Sequence, residues 1–87
     1  MTTGTITGVN GNLVSVAFEG AVALNEIGYA IIPASGGSEE LRLMCEIVRI
    51  RGRVADMQVF EDTTGLRAGF PVEFTGQLLS IELDRQD

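Results

Sequence analysis

The sequence predicts an all-β fold, a small closed barrel or sandwich built from six or seven short strands. Three observations support this prediction. Apolar and polar residues alternate along several short runs, turn-forming residues separate these runs roughly every ten residues, and eleven glycines accompany only two prolines. A chain of 87 residues provides one small hydrophobic core, so we expect a single domain over residues 1–87. Closure into a barrel is favoured because it removes strand edges that would otherwise pair with other chains.

Residues 3–18 are typical of a β-hairpin. Threonines alternate with small or apolar residues along residues 3–9, which indicates the first strand. In the return strand, residues 12–18, the side chains of Val14, Val16 and Phe18 share one face. The Asn10-Gly11 dipeptide between the two strands predicts a type I′ turn, because both residue types tolerate positive φ.

The middle of the chain predicts two further strands separated by a polar loop. Residues 28–32 form a short apolar run that Pro33 closes. Residues 41–50 form a longer run, for which helix is the competing interpretation because good helix formers occupy residues 39–46. The β-branched residues near the end of this run favour strand.

The last third of the chain predicts a half-buried strand, a long turn and two final strands. Along residues 54–61 the apolar side chains of Ala55, Met57 and Val59 alternate with polar ones. Residues 62–69 carry turn-forming residues throughout. The final strands are predicted over residues 71–75 and 78–83.

The composition excludes the common catalytic sites from this chain. It contains no lysine, and a phosphate-binding P-loop requires one to reach the β- and γ-phosphates. It contains no histidine, which removes Ser-His-Asp and Cys-His nucleophile arrangements and the usual zinc sites. We therefore expect no catalytic residue, no bound cofactor and no metal in this chain.

The net charge of −6 argues against nucleic acid as a partner and against binding to an anionic membrane surface. No apolar run approaches the ~20 residues that cross a bilayer, so direct membrane insertion is not expected. The single cysteine, Cys45, cannot form an internal disulfide and suits a reducing compartment. These features predict a cytoplasmic location.

Four arginines form the main cationic cluster: Arg42, Arg49, Arg51 and Arg53. In a strand without a bulge, the last three would project from one face. One interpretation is a contact stripe for an acidic neighbour, because arginine is favoured at interfaces and in carboxylate pairs. The other is a solvated outer face, neutralised across the hairpin by Glu46, Asp56 and Glu61.

The remaining chemically distinctive residues are better explained by structure than by catalysis. The acid pairs Glu39-Glu40 and Glu61-Asp62 fall in predicted loops or at strand ends, where carboxylates are solvated. Cys45, Met44 and Met57 are predicted to fill the core. The aromatic residues are not interleaved with basic ones, so core packing is preferred over base stacking for the following: Phe18, Tyr29, Phe60, Phe70 and Phe74.

Four segments of the chain resemble one known family. They are residues 4–11 (GTITGVNG), 45–52 (CEIVRIRG), 55–69 (ADMQVFEDTTGLRAG) and 74–83 (FTGQLLSIEL). Together they are similar to the N-terminal β-barrel of the catalytic A subunit of V/A-type rotary ATPases, over residues 3–83. Where that family continues into a Gly-Pro-Gly-Leu-Leu segment, this chain reads Asp84-Arg85-Gln86-Asp87, which suggests a truncated fragment or a relic paralogue.

The resemblance implies a closed six-stranded barrel whose work is assembly. In that family the barrels of subunits A and B alternate in a six-membered crown that holds the catalytic hexamer together. The phosphate-binding loop and the catalytic glutamate lie in a later domain, where ATP and Mg²⁺ bind. The parent complex couples ATP hydrolysis or synthesis to proton or sodium transport. The part of the complex that contains this barrel is peripheral to the membrane.

The expected partners are therefore neighbouring A and B barrels, and the candidate contact residues are Arg49, Arg51, Arg53, Glu61, Asp62 and Arg67. One alternative is a stand-alone or engineered barrel scaffold that assembles into its own homo-oligomeric ring. A second is a ligand-binding barrel of the oligonucleotide-binding type.

Overall fold

Six antiparallel strands close into a barrel in the computed structural model, which describes residues 2–78. Around the barrel the strands follow the order β1-β2-β5-β4-β3-β6, and β6 returns to β1. The strands are β1 (Thr3–Asn10), β2 (Leu13–Phe18), β3 (Glu26–Ile32), β4 (Leu41–Arg51), β5 (Val54–Val59) and β6 (Pro71–Leu78). The predicted all-β fold and closed six-stranded barrel are confirmed.

The first hairpin forms as predicted, but its turn lies one residue later than the sequence suggested. Asn10 is the last residue of β1 and pairs with Leu13, which leaves Gly11 and Asn12 as the two turn residues. Gly11 has φ of +63°, whereas Asn12 is not among the described non-glycine residues with positive φ. Positive φ at the first turn position alone is the pattern of a type II′ turn, so the predicted type I′ turn at Asn10-Gly11 is wrong.

The competing helix over residues 39–46 does not form, because this stretch pairs on both sides. Residues 41–46 of β4 pair with β3, and residues 45–51 of β4 pair with β5. The predicted strands at residues 71–75 and 78–83 are joined within the described part, since β6 is continuous from Pro71 to Leu78. Residues 79–83 of that prediction, and the departure at residues 84–87, lie outside the described residues.

A buried carboxylate fixes the connection from β2 to β3. Glu26 is 5% exposed, and its two carboxylate oxygens accept hydrogen bonds from the backbone N–H groups of Ala23 at 2.9 Å and Gly76 at 2.8 Å. The preceding residue, Asn25, takes a positive φ of 72°. Because two backbone donors satisfy the carboxylate, Glu26 ties the turn before β3 to the end of β6 without an unpaired buried charge.

The barrel interior is filled by the inward side chains of the strands and by one loop residue. The buried cluster contains Ile6, Val14, Val16, Phe18, Ala30, Leu43, Cys45, Ile47, Ala55, Met57, Val59, Leu66, Val72 and Phe74. The predicted alternation of Val14, Val16 and Phe18 on one face is confirmed. So is the inward placement of Ala55, Met57 and Val59, which are fully buried.

Three core assignments are wrong. Tyr29 is half-buried on the outer face of β3, where the Arg42 guanidinium lies over its ring, and it does not belong to the buried cluster. Met44 lies between the buried residues Leu43 and Cys45 on β4 and is therefore on the outer face, where it is half-buried. Phe60 follows the end of β5 and is 46% exposed. Within residues 2–78 no helix has the length and hydropathy of a membrane-spanning segment.

The thiol of Cys45 is expected to be unreactive in the folded chain. Cys45 is fully buried, and burial raises the pKa of its thiol to about 12, so the reactive thiolate is almost absent at neutral pH. A disulfide reagent at about pH 8 should label it only in urea. Ser38→Cys in the exposed loop before β4 supplies the control, because its thiol should react at once while Cys45 does not. Rapid labelling of Cys45 in the native chain would contradict this placement.

Candidate partner-contact site

The β4–β5 hairpin extends from one end of the barrel and carries the predicted arginine cluster. β3 pairs with β4 only as far as Glu46, whereas β5 pairs with it to Arg51. Gly52 and Arg53 form the two-residue turn, and Gly52 has the positive φ, +62°, that a type II′ turn needs at its first position. β4 therefore continues beyond its β3 neighbour among the described residues.

A β-bulge determines which way the arginines face. The register between β4 and β5 shifts between Ile47 and Arg49, so Val48 is the extra residue. After this shift Arg49 lies opposite Asp56. The bulge precedes Arg49, so it does not separate Arg49 from Arg51, and both reach the same carboxylate.

Arg53 does not join that pair. It occupies the turn, and it lines a cleft of about 750 Å³ together with Thr3, Thr5 and Glu19. Its backbone carbonyl accepts a hydrogen bond from the Phe18 N–H at 3.0 Å. The prediction that Arg49, Arg51 and Arg53 share one face therefore holds for the first two alone.

Asp56 is the centre of a small charged network on the outer face. Its side chain is 11% exposed; Arg51 Nη2 lies 3.0 Å from Oδ1 and Arg49 Nε lies 3.6 Å from Oδ2. The Ser15 hydroxyl donates to Oδ1 at 3.3 Å. The hydrogen bond from Arg51 is the main reason that the pKa of Asp56 lies below its usual value, and the Arg51 charge, Ser15 and Arg49 act in the same direction.

Neutralising Asp56 is expected to destabilise the barrel in a pH-dependent way. Its folded pKa is depressed, so its stabilisation is present above the unfolded value of ~3.9 and is lost as pH falls through the lower folded value. Asp56→Asn should lower the free energy of unfolding by about 1–2 kcal/mol at neutral pH. Urea unfolding should show this difference shrinking as pH falls below about 4.

The matched control for that experiment is Asp62→Asn, the same chemical change at an exposed carboxylate. It should have a smaller effect on unfolding at neutral pH, because solvent replaces the interactions of an exposed group. A difference between Asp56→Asn and the parent chain that stays constant from neutral to acidic pH would contradict the role given to the Asp56 carboxylate.

Neither of the other two acids expected to neutralise the arginines does so. Glu46 Oε2 accepts a hydrogen bond from Asn25 Nδ2 at 3.0 Å, and Glu61 Oε2 accepts one from the Met44 N–H at 3.4 Å. Arg42 is engaged elsewhere: its Nη2 lies 2.6 Å from Glu73 Oε1. Its guanidinium carbon also lies 5.3 Å from the centre of the Tyr29 ring, a cation–π contact.

The second predicted contact region, the turn that contains Glu61, Asp62 and Arg67, lies at the opposite end of the barrel. The Asp62 carboxylate accepts hydrogen bonds from the Thr64 N–H at 3.0 Å and the Thr64 hydroxyl at 2.8 Å, which lower the pKa of Asp62. The Thr63 hydroxyl donates to the Gly11 carbonyl at 3.0 Å, joining the turn to the first hairpin. Arg67 is exposed. The structure therefore does not bring the six predicted contact residues together.

Sequence analysis missed an apolar group beside the paired arginines. Leu24, Val48 and Ile50 are 53%, 41% and 37% exposed. The N–H of Asn25 donates to the carbonyl of Ile47 at 2.8 Å, which places the residues around Leu24 next to those around Val48. No pattern in the sequence indicated this proximity, because it depends on where β4 loses its β3 neighbour.

Within the described residues no group of three or more histidine, cysteine, aspartate or glutamate side chains is arranged to hold a metal ion. The arrangement on the β4–β5 hairpin is suited to contact rather than to bond-making chemistry. It combines exposed guanidinium groups, held by a carboxylate, with exposed aliphatic side chains.

Comparison with known proteins identifies what this barrel is similar to. The protein-family model described as "ATP synthase alpha/beta family, beta-barrel domain" matches residues 6–76. Over 82 residues the chain is 54% identical to the V-type ATP synthase alpha chain of Treponema denticola and to V-type ATP synthase alpha chain 1 of Treponema pallidum. It is 45% identical over 82 residues to the V-type ATP synthase alpha chain of Borreliella afzelii. Each alignment covers 94% of this chain and 13% of the relative, so the chain spans about an eighth of the length of these curated relatives.

Proposed function

Because this chain belongs to the ATP synthase alpha/beta family through its β-barrel domain, we propose that it acts as a non-catalytic assembly domain, the N-terminal barrel of a V-type catalytic A subunit. The observation that carries the proposal is the alignment of 94% of the chain with V-type ATP synthase alpha chains at up to 54% identity. The barrel would take its place in a ring of barrels above the nucleotide-binding domains. The parent complex would couple ATP hydrolysis or synthesis to proton or sodium transport.

The chemistry of this chain supports an assembly role over a catalytic one. Without lysine it cannot form a P-loop, and without histidine it lacks the most common general base. ATP and Mg²⁺ would therefore bind elsewhere in the parent subunit. The domain would be cytoplasmic and peripheral to the membrane, in contact with neighbouring subunits through its outer surface.

Barrel closure suits a ring component because it leaves mainly side chains, and only short stretches of strand edge such as the end of β4, to determine the contacts. Each of the six strands has an antiparallel neighbour on both sides over at least part of its length. An open sheet would offer backbone edges that pair with any available strand. A closed barrel selects its partner by shape and charge, which is what alternation of two different subunits requires.

The proposal is tested by the assembly state of the purified chain. Light scattering after size exclusion should give a monomer for the chain alone. A defined complex should form when it is mixed with the barrel domain of the non-catalytic B subunit of the same complex. A defined homo-oligomeric ring of the chain alone would instead favour a self-associating scaffold. Failure to join the neighbouring barrel, alone or within the parent complex, would contradict the assembly role.

A further inference from the structure

We propose that the amphipathic end of β4, formed by Leu24, Val48, Arg49, Ile50 and Arg51, docks an acidic and apolar surface of a non-identical neighbouring subunit. This surface is called the β4 end below. The inference rests on the proposed assembly function. It adds which part of the barrel makes a contact, and what chemistry the partner presents there.

The apolar half of the β4 end consists of side chains that the barrel leaves exposed. Beyond the Asn25 N–H to Ile47 C=O hydrogen bond, no described residue pairs with β4 on its β3 side. Val48 and Ile50 lie in that stretch, and Leu24 immediately precedes Asn25. Leu24 and Val48 are therefore exposed on neighbouring segments, and Ile50, opposite the inward-facing Ala55, adds an exposed aliphatic side chain on the other face of β4 from Arg49 and Arg51.

The charged half consists of two guanidinium groups, most of whose N–H donors are not used by Asp56. The side chains of Arg49 and Arg51 are 63% and 50% exposed, and each reaches Asp56 through one nitrogen. A guanidinium carries five N–H donors, so most of those on each arginine remain available to a partner carboxylate. Asp56 also restrains both side chains, which reduces the entropy lost when a partner binds.

Charge complementarity indicates an acidic partner. Two arginines share one carboxylate, which leaves an excess of positive charge at this place in a chain of net charge −6. Two exposed arginines that already share a carboxylate, on an acidic chain, are too few to neutralise a nucleic acid backbone effectively. A protein surface that combines carboxylates with apolar side chains satisfies both halves of the β4 end.

A partner unlike this chain is favoured because, among residues 2–78, both adjacent pairs of exposed acids lie at the other end of the barrel, whereas Glu19, beside Arg53, is a single acid. Glu61 and Asp62 belong to the turn joined to Gly11, whereas the Gly52-Arg53 turn lies at the Phe18 end of β2. Glu39 and Glu40 follow Ile32, whose side chain lies beside Gly65 of that same distant turn. In a closed ring, equivalent atoms of identical subunits lie at one height, so a second copy would bring neither acid pair to the arginines.

The test is a titration of the isotope-labelled chain with the barrel domain of the neighbouring non-catalytic subunit, followed by amide resonances and by calorimetry. Resonances of residue 24 and residues 48–51 should shift. Arg49→Gln combined with Arg51→Gln should weaken binding by at least ~10-fold at low salt. Raising the salt concentration should weaken binding of the parent chain, and should weaken binding of this double variant less. Arg49→Lys keeps the charge and should lose less affinity than Arg49→Gln.

The apolar half has a matched pair of variants. Leu24 and Leu41 are both 53% exposed, but Leu41 begins β4 at the opposite end of the barrel. Leu24→Ser should weaken binding about fivefold or more, and Leu41→Ser less than about twofold. Both variants should retain the parent amide spectrum away from the mutated residue, which shows that the fold is intact.

The other outcomes overturn the inference in distinguishable ways. Binding with shifts elsewhere, and with unchanged affinity in the variants, removes the β4 end as the contact but leaves the assembly role standing. If the chain does not bind the neighbouring barrel at all, both the contact at the β4 end and the assembly role are contradicted. Shifts of the same amides with single-stranded DNA alone would assign the surface to nucleic acid. A last outcome uses a truncated chain that ends at Leu78 and still folds. If, without any partner, the amide resonances of residues 24 and 48–51 differ between this truncated chain and the full chain, the β4 end is occupied by the chain's own residues 79–87.

Discussion

Replacing Gly4 by alanine is expected to lower the free energy of unfolding by about 3 kcal/mol and Tm by roughly 15 °C. A Cβ at this position would lie 2.7 Å from the carbonyl oxygen of Ala17 and 2.7 Å from Cγ1 of Val16. The first of these is backbone of the neighbouring strand, which cannot move without breaking the β1–β2 pairing. The expected loss therefore comes from separating two paired strands, not from backbone conformation. Thermal and urea unfolding measure it.

Gly8→Ala is the control, because it makes the same change in the same strand. A Cβ at Gly8 meets no atom within 4 Å, and its φ is outside the positive range that disfavours alanine. Alanine there should be neutral or slightly stabilising, because it restricts the unfolded chain. Equal destabilisation by the two variants would mean that loss of glycine flexibility, and not the close approach at Gly4, determines the result.

The fold could be predicted from the sequence because its strands carry strong period-two alternation and its turns carry glycine. The first hairpin and the fifth strand both followed from this pattern. Details of register did not follow. Asn10 is an acceptable turn residue, but the turn forms at Gly11 and Asn12, because the pairing of Asn10 with Leu13 extends β1 by one residue. The local sequence does not show whether one more residue pair stabilises the hairpin more than the type I′ turn would.

The candidate site was only half predictable. Clustering of arginines is visible in the sequence, and so is alternation that brings Arg49 and Arg51 to one face. The bulge at Val48 and the point where β4 loses its β3 neighbour are tertiary features, and they decide that Val48 and Ile50 are exposed. The prediction that Met44 fills the core was wrong because its neighbours Leu43 and Cys45 occupy the inward positions of β4.

The seam between β1 and β6 closes the barrel with few strand pairs and with further backbone hydrogen bonds between Ile6 and both Phe70 and Gly69, so side-chain packing makes a large contribution there. Three residue pairs join these strands, from Thr3 with Glu73 to Thr5 with Pro71, whereas six join β1 to β2. Phe74 lies at this seam. Its N–H donates to the Thr2 carbonyl at 2.9 Å, and its ring packs edge-to-face against Phe18 with centroids 6.1 Å apart. The absence of a side chain at Gly4 leaves room for this ring.

Phe74→Ala is accordingly expected to lower the free energy of unfolding by about 4 kcal/mol, the larger part of what so small a domain has. Phe74→Leu, which should cost about 1–2 kcal/mol, keeps the experiment informative if the alanine variant does not fold. Phe60→Ala removes the same ring from an exposed position and should cost less than about 1 kcal/mol. In Phe74→Leu, hydrogen exchange should show that the amides of β1 and β6 lose more protection than those of the β4–β5 hairpin, because the packing at the seam is weakened. Uniform loss of protection across all six strands would show instead that Phe74 stabilises the barrel as a whole and that the seam is not its weak point.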